Sequence, residues 1–336
     1  MPPTSIVARL KTIYTREKEV IVPSISTTVA ITSLIVYTLI YVLPLYISPA
    51  SRPSHGLNRD APSVIKRRTQ LVSTSCIACS IITFFVLYTH ASNSSPTQNV
   101  LEGMHRMGYL PIGLGETIKA LALTATLFMG PLFEGGIEGR WRRWLKLEDA
   151  YAVLSSWQGW RNFVTGPITE EILFRSAAVP LLLLAQISNT TIIFLTPVVF
   201  GLAHVHHFYE YRITHPHDPI IQAILRSVLQ FTYTTLFGGY VTFLYLRTGS
   251  LLSVIFVHAF CNWQGFPRFW GKVSAGETVM GPDIGESKRS EDGPARSAEL
   301  GLGWTVAYYV ILCIGAWGWW RLLWPLTASE SALTSF

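Results

Sequence analysis

The sequence is short of charge. Only 14% of its 336 residues are Asp, Glu, Lys or Arg, whereas soluble globular proteins contain roughly 25%. This shortage excludes an ordinary soluble domain, and 49% of the residues are hydrophobic and 12% aromatic. Such a composition is typical of a membrane protein with aromatic side chains at both membrane interfaces. We therefore predict an all-α, polytopic transmembrane helical bundle embedded in the lipid bilayer.

Cysteine is also scarce. The four cysteines are Cys76, Cys79, Cys261 and Cys313, and all lie in apolar runs. Cys76 and Cys79 have a CxxC spacing, but no second pair completes a zinc or redox motif. This pattern excludes a disulfide framework and predicts packed, buried thiols.

The motifs of the common hydrolases are missing. No HExxH occurs, which removes the usual zinc-protease helix. No GxSxG occurs either, and no Ser or Cys has an evident base beside it. If the chain is a hydrolase, its chemistry must come from other residues.

About eight apolar segments are long enough, or nearly long enough, to span a membrane. They divide the chain into an N-terminal tail (1–20), a membrane domain (21–326) containing a mobile polar loop (265–301), and a C-terminal tail (327–336). The predicted spans are Ile21–Ile47, Thr69–Leu87, Ile118–Phe133, Gly166–Ile187, Thr190–His204, Ile220–Leu246, Ser250–Trp263 and Leu302–Trp324.

The basic loops indicate an orientation. Arg52–Arg68 and Arg140–Lys146 lie two spans apart, so both can face the cytosol, as the positive-inside rule favours. This choice puts the glycosylation sequon at Asn93 in the lumen. It also puts the basic N-terminal tail there, against the same rule. The net charge of +6 is then explained by orientation, and we expect no nucleic-acid partner.

The chain is organised around Thr165–Arg175, which reads TGPITEEILFR. An ionisable residue inside a membrane span costs roughly 3 kcal/mol or more, so Glu170, Glu171 and Arg175 together need a reason. Glu171 and Arg175 are one helical turn apart and can pair. Intramembrane charges usually mark a functional site, and we favour that interpretation here.

Two further polar clusters reach the same depth in this topology. His204 closes the fifth span, and His258 and Asn262 lie four residues apart on one face of the seventh. A carboxylate with an imidazole can hold a water and remove its proton. His258 and Asn262 can both donate hydrogen bonds to a developing oxyanion. A zinc site formed by His204, His258 and a Glu stays open, as does a non-catalytic membrane binding protein or transporter.

The two adjacent carboxylates have different predicted roles. Pairing with Arg175 would hold Glu171 ionised and make it a weak base. Glu170 points about 100° away around the helix and is free to meet His204 and a water. We therefore expect Glu170 to be the general base.

At these residues the sequence resembles the type II CAAX prenyl endopeptidases, the Ras-converting-enzyme family. Glu170–Arg175 (EEILFR) matches the EExxxR motif of that family, Phe200–His204 (FGLAH) its FxxxH motif, and His258–Asn262 (HAFCN) its HxxxN motif. The three motifs occur in the family's order, and the match is best over Thr165–Trp263. Arg59–Arg68 (RDAPSVIKRR) also looks like the basic segment of the eukaryotic branch.

The resemblance implies an endoplasmic-reticulum protease, with its active site near the cytosolic face, that removes the last three residues of prenylated CaaX proteins such as Ras-type small GTPases. It implies no metal and no cofactor. Six residues would share three roles. These are water activation by Glu170 and His204, an oxyanion hole from His258 and Asn262, and support of the site by Glu171 and Arg175.

Overall fold

The computed structural model describes residues 23–52, 59–92, 95–275 and 298–336. Three regions singled out in the sequence lie wholly or mostly outside these ranges: the N-terminal tail, the Asn93 sequon and most of the polar loop 265–301. The described residues are helical apart from turns, loops and one antiparallel pair of two-residue strands, Ser274–Ala275 (β1) and Ala298–Glu299 (β2).

The described helices follow the chain in sixteen α segments and two π segments. They are α1 (Thr27–Val42), α2 (Pro44–Ile47), α3 (Pro62–Thr89), α4 (Pro96–Arg106), α5 (Leu114–Leu127), α6 (Met129–Ile137), α7 (Arg140–Leu145), α8 (Glu148–Leu154), α9 (Trp157–Trp160), π1 (Arg161–Thr165), α10 (Gly166–Glu171), π2 (Ile172–Ala177), α11 (Val179–Leu184), α12 (Asn189–Ala203), α13 (His206–Thr214), α14 (Ile220–Thr248), α15 (Leu251–Gln264) and α16 (Leu302–Thr327).

Over the residues that the structure describes, each of the eight predicted spans coincides with a helix or a run of helices, which confirms the all-α membrane architecture. By length and composition, four described helical runs can cross a membrane: α1–α2, α3, α12–α13 and α16. The pair α5–α6 makes a fifth if its 73° bend falls within one span. The other predicted spans correspond to π1–α11, the 29-residue α14 and the 14-residue α15.

The region predicted to carry the site is helical but not regular. Each π segment ends shortly before a proline, Pro167 or Pro180, which has no N–H for an ordinary helical hydrogen bond. Ala178 N instead donates to Leu173 O, five residues back. Such wide turns frequently occur at functional sites. Here they bracket α10, the six-residue segment that ends in the two glutamates.

Helices α12 and α14 pack closely through glycines. A Cβ added at Gly201 would lie 2.5 Å from the Thr235 hydroxyl, and one at Gly238 would lie 3.0 Å from Pro197 Cβ. Because neither glycine has a side chain, the two helices approach each other where the predicted site lies. The core around them is apolar and continuous, and it includes Leu173, Phe174, Ala177, Val179, Leu182, Ile192, Phe200, Val241, Leu244, Tyr245, Val254 and Val257.

We expect alanine to be tolerated less well at Gly238 than at the neighbouring Gly239 of α14, as measured by stability. At Gly238 its Cβ would crowd Pro197 and come within 3.3 Å of Arg175 Nη2. At Gly239 the nearest atom, Ile193 O, is 3.6 Å away, an ordinary contact. Both substitutions gain about 1 kcal/mol of helix propensity, so the difference between them reports crowding alone. Gly238→Ala should be less stable than Gly239→Ala by about 1–3 kcal/mol in detergent unfolding; equal stabilities would contradict the close packing.

The chain ends against the bundle. Leu333 N donates to Leu246 O at 2.9 Å, and the Phe336 ring meets Phe243 edge-on. The segment predicted as a C-terminal tail therefore packs on the ends of α14 and α16 in the structure.

Candidate active site

Glu171 and Arg175 form the ion pair that their spacing predicts. Arg175 Nη1 lies 3.2 Å from the Glu171 carboxylate, and the two side chains are 1% and 0% exposed. Arg175 Nη2 also donates to Gly238 O at 3.3 Å, and the guanidinium lies over the Phe200 ring. The missing side chain at Gly238 is what allows this approach. A buried charge is thus compensated by one carboxylate, one carbonyl and one aromatic face.

His258 connects the two glutamates. Its Nδ1 lies 2.6 Å from Glu171 Oε1, and its Nε2 lies 3.9 Å from Glu170 Oε2. Since an ionised carboxylate only accepts hydrogen bonds, Nδ1 is the donor to Glu171. Helix α15, which starts at the N-cap Ser250, brings this histidine from the HxxxN motif against α10.

Glu170 differs from Glu171 in its access to solvent. Its side chain is 20% exposed and lines a cavity of about 900 Å³, whereas Glu171 is fully buried. The two adjacent carboxylates therefore have different surroundings. Glu171 is held in an ion pair, and Glu170 faces the cavity.

His204 lines the same cavity but has a different set of neighbours. Its Nδ1 donates to Phe200 O at 2.8 Å, which satisfies a carbonyl at the end of α12 and leaves Nε2 as the acceptor nitrogen. Among the described residues, Glu170 makes no hydrogen bond or ion pair with His204; its nearest imidazole is His258. A water between Glu170 and His204 would have to bridge them.

Asn262 also faces the cavity, one turn after His258. Its Nδ2 donates to Asn162 O, in π1, at 2.9 Å. This bond fixes the amide and leaves the second N–H of the NH₂ group for another acceptor. Sequence reasoning missed Asn162, because a backbone carbonyl in a Trp-rich segment carries no pattern that marks it.

The four residues predicted to be catalytic therefore line one cavity, although they come from three separate stretches of the chain. The rest of the wall is mostly apolar and aromatic. It includes Tyr41, Leu127, Phe128, Phe174, Phe200, Tyr233, Phe237, Tyr240, Phe266, Phe269, Leu312, Ala316 and Trp319.

The basic segment predicted from the sequence forms part of this wall. Arg59 and Arg68 both line the cavity, as does Arg161 of π1. Arg161 bonds Asp60 at 2.5 Å, and Arg68 bonds Glu210 of α13 at 2.6 Å. The pattern RDAPSVIKRR had marked the first two arginines, but nothing in the sequence paired them with Glu210.

His206 and His207, just beyond His204, are half-buried. His207 Nδ1 bonds Glu210 at 2.8 Å, and His206 Nδ1 bonds Ala203 O at 2.6 Å. Within the described ranges, only His206, His207 and Glu210 bring three potential metal-ligand atoms within 4.8 Å of one another. The Glu210 carboxylate is already shared with Arg68, so this donor set suits a salt-bridge network better than a cation.

Together these observations define a class of protein. A membrane bundle holds an accessible carboxylate, two imidazoles and an amide on the wall of a large apolar cavity, with a buried Glu–Arg pair behind them. This is the arrangement expected of a hydrolase that acts on a substrate carrying a lipid.

Comparison with known proteins agrees. Residues 152–264 match the model of the family described as type II CAAX prenyl endopeptidase Rce1-like. The chain is 38% identical to the probable CAAX prenyl protease 2 of Schizosaccharomyces pombe over 239 residues, 70% of this chain and 81% of that protein. It is 31% identical to CAAX prenyl protease 2 of Homo sapiens, over 68% of each chain. It is 44% identical to the Arabidopsis thaliana protein of that name over 128 residues, 38% of this chain and 41% of the relative. No solved structure matches the chain.

The chain belongs to the type II CAAX prenyl endopeptidase family. The predicted family and its CAAX endopeptidase function are thereby confirmed, and the protein is an integral membrane hydrolase. The non-catalytic alternative, a transporter or binding protein, is set aside.

Proposed function

We propose that this protein removes the C-terminal tripeptide from prenylated CaaX proteins, Ras-type small GTPases among them, at the endoplasmic-reticulum membrane. Glu170 and His204 activate a water, His258 and Asn262 stabilise the oxyanion, and no metal takes part. The observation that carries the proposal is the shared cavity: all four side chains face it, while Glu171 and Arg175 lie behind its wall.

The attacking water lies between Glu170 and His204 in this mechanism. Glu170 Oε2 accepts the water's proton as the oxygen attacks the scissile carbonyl carbon. His204 Nε2, whose partner nitrogen is fixed on Phe200 O, accepts a second hydrogen bond from the same water. The proton then passes from Glu170 to the leaving amine. One water is consumed for each peptide bond cleaved.

The oxyanion requires donors on the opposite side of the reacting carbon. Asn262 has one amide N–H left after bonding Asn162 O. His258 Nδ1 already donates to Glu171, so Nε2 donates to the oxyanion only when both ring nitrogens carry protons. The Glu171 carboxylate would then offset the charge of the imidazolium, because Glu170 has by that stage accepted the water's proton.

The cavity's apolar wall suits the prenyl group. Leu312, Ala316 and Trp319 of α16 face the cavity together with Leu127, the last residue of α5, and Phe128, which follows it. Burying one isoprenoid CH₂ or methyl group contributes about 0.8 kcal/mol, so a fifteen-carbon chain gains substantial affinity from such a surface. The peptide bond after the modified cysteine would then reach Glu170.

Cleavage of a farnesylated CaaX peptide by the purified protein tests the proposed function. The expected result is release of the intact tripeptide, with little or no cleavage of the same peptide lacking its lipid. Equal cleavage of both peptides would contradict the role of the apolar wall, and cleavage of neither would contradict the function itself.

We expect hydrolysis to continue in a strong chelator. Asn262 is a poor zinc ligand, and the residues predicted to be catalytic form no tight donor cluster among the described side chains. Rates with and without EDTA or phenanthroline should agree within about twofold after prolonged dialysis. Loss of activity in chelator that added zinc restores would instead support the zinc-protease alternative.

The site should face the cytosol. Arg67 adjoins the cavity-lining Arg68, and both Arg67 and Arg142 lie in predicted cytosolic segments. Single cysteines placed at 67 and 142, in a variant whose accessible native cysteines are replaced, should react with an impermeant maleimide added to sealed microsomes. Labelling of both only after the vesicles are opened would reverse the orientation.

A further inference from the structure

Three arginines give one part of the cavity wall a positive charge. Arg59, Arg68 and Arg161 all line the cavity, with side chains 25%, 14% and 21% exposed. The only carboxylate among the described residues of that wall is Glu170. Nothing in the proposed water activation or oxyanion hole uses these guanidinium groups.

The arginines are oriented by carboxylates that do not themselves line the cavity. Asp60 lies 2.5 Å from Arg161 and 3.9 Å from Arg59. Glu210 lies 2.6 Å from Arg68 and 3.6 Å from Arg59. These two carboxylates orient the three guanidinium groups, and all three arginines line the cavity. A half-buried, oriented guanidinium pair or triad is a good receptor for a planar carboxylate.

The arginines and the apolar residues of α16 lie on different sides of the predicted catalytic residues. Helix α3, which carries Arg68, packs against α10; α10 packs against α15, α15 against α5, and α5 against α16. Along this side of the cavity, the helices bearing Glu170 and His258 lie between α3 and α16. A chain that crosses the cavity from α16 past Glu170 continues toward the arginines.

We propose that Arg59, Arg68 and Arg161 form the binding site for the C-terminal α-carboxylate of the substrate. The inference rests on the proposed function, because it takes the lipid to lie on α16 and the scissile bond at Glu170. Three extended residues beyond that bond reach about 10 Å, which carries the terminal carboxylate away from the lipid. Binding of the free carboxylate would fix the distance between the C-terminus and the scissile bond. This explains why the enzyme cuts three residues from the end and not within a sequence.

The experiment compares two farnesylated CaaX peptides that differ only at the C-terminus, one a free acid and the other a carboxamide. The ratio of their kcat/KM values is measured for the parent, R59Q, R161Q and the control R67Q. Arg67 is exposed on the same basic segment but does not line the cavity. The parent should prefer the acid by about tenfold or more, as expected for loss of a charge-assisted hydrogen bond. R59Q and R161Q should lower kcat/KM for the acid much more than for the amide, and R67Q should keep the parent's preference.

The outcomes separate this inference from the function on which it rests. A parent that cleaves both peptides equally well keeps the endopeptidase function and overturns the carboxylate site. A parent that cleaves neither overturns the function. The carboxylate site would also be overturned if R59Q and R161Q both kept the parent's ratio of kcat/KM for the acid to kcat/KM for the amide. It would be overturned as well if R67Q lost this preference as much as they do. A merely structural arginine would lower both rates together and leave their ratio unchanged.

Discussion

Glu170→Gln should abolish turnover while leaving binding of the prenylated peptide nearly unchanged. Glutamine has the shape of glutamate but cannot accept the proton of the attacking water, and removing a general base typically lowers the rate 10²–10⁴-fold. Glu170 is suited to the role because it alone of the two adjacent glutamates reaches the cavity. Single-turnover cleavage should fall by about 10³, and the dissociation constant of a farnesylated peptide should change less than threefold.

Glu171→Gln is the matched control, with the same chemical change one residue along the chain. Glu171 is fully buried between Arg175 and His258, so its loss should act on the fold and on the orientation of His258. Its turnover should fall less than that of Glu170→Gln, and its unfolding midpoint should fall more. Near-parental cleavage by Glu170→Gln, with a dead but stable Glu171→Gln, would mean that the two roles are reversed.

The sequence was sufficient to predict the helices but not their internal geometry. Low charge and long apolar runs predict spans because a bilayer requires every backbone hydrogen bond to be made within the segment. Pro180 lies inside the predicted fourth span, but its position does not reveal the π segment that begins eight residues earlier, at Ile172. The contacts that stabilise helix α13 could not be predicted from the sequence, because Glu210 makes them with residues more than a hundred positions away.

Contacts in the site could be predicted between residues close in the sequence, but not between residues far apart in it. The Glu171–Arg175 pair follows from helical spacing alone. The 2.6 Å bond from His258 to Glu171 joins residues 87 positions apart, and no periodicity encodes it. For the same reason the predicted partner of Glu170 was His204, whereas the structure brings His258 nearer. Only the three-dimensional crossing of α10 and α15 decides between two histidines that are equivalent in the sequence.

Arg175→Met should be among the most destabilising single substitutions in the chain. Methionine is apolar and of similar length, so it fills much of the space, but it leaves the buried Glu171 without its cationic partner. Breaking a buried ion pair by removing one member typically costs 3–5 kcal/mol. The contact with the Phe200 face is lost as well. Reversible unfolding in mixed detergent micelles, followed by helical circular dichroism, measures the change.

The double variant Glu171→Gln/Arg175→Met tests whether the stability lost in Arg175→Met comes from the unpaired Glu171 carboxylate. Replacing both members removes the uncompensated carboxylate, and apolar or neutral replacements of buried ion pairs are often close to neutral in stability. We therefore expect the double variant to recover about half or more of the stability lost by Arg175→Met, while cleavage stays low because His258 has lost its anionic partner. Additive losses in the double variant would show that Arg175 stabilises the bundle through packing and its bond to Gly238 O, and that its pairing with Glu171 contributes little.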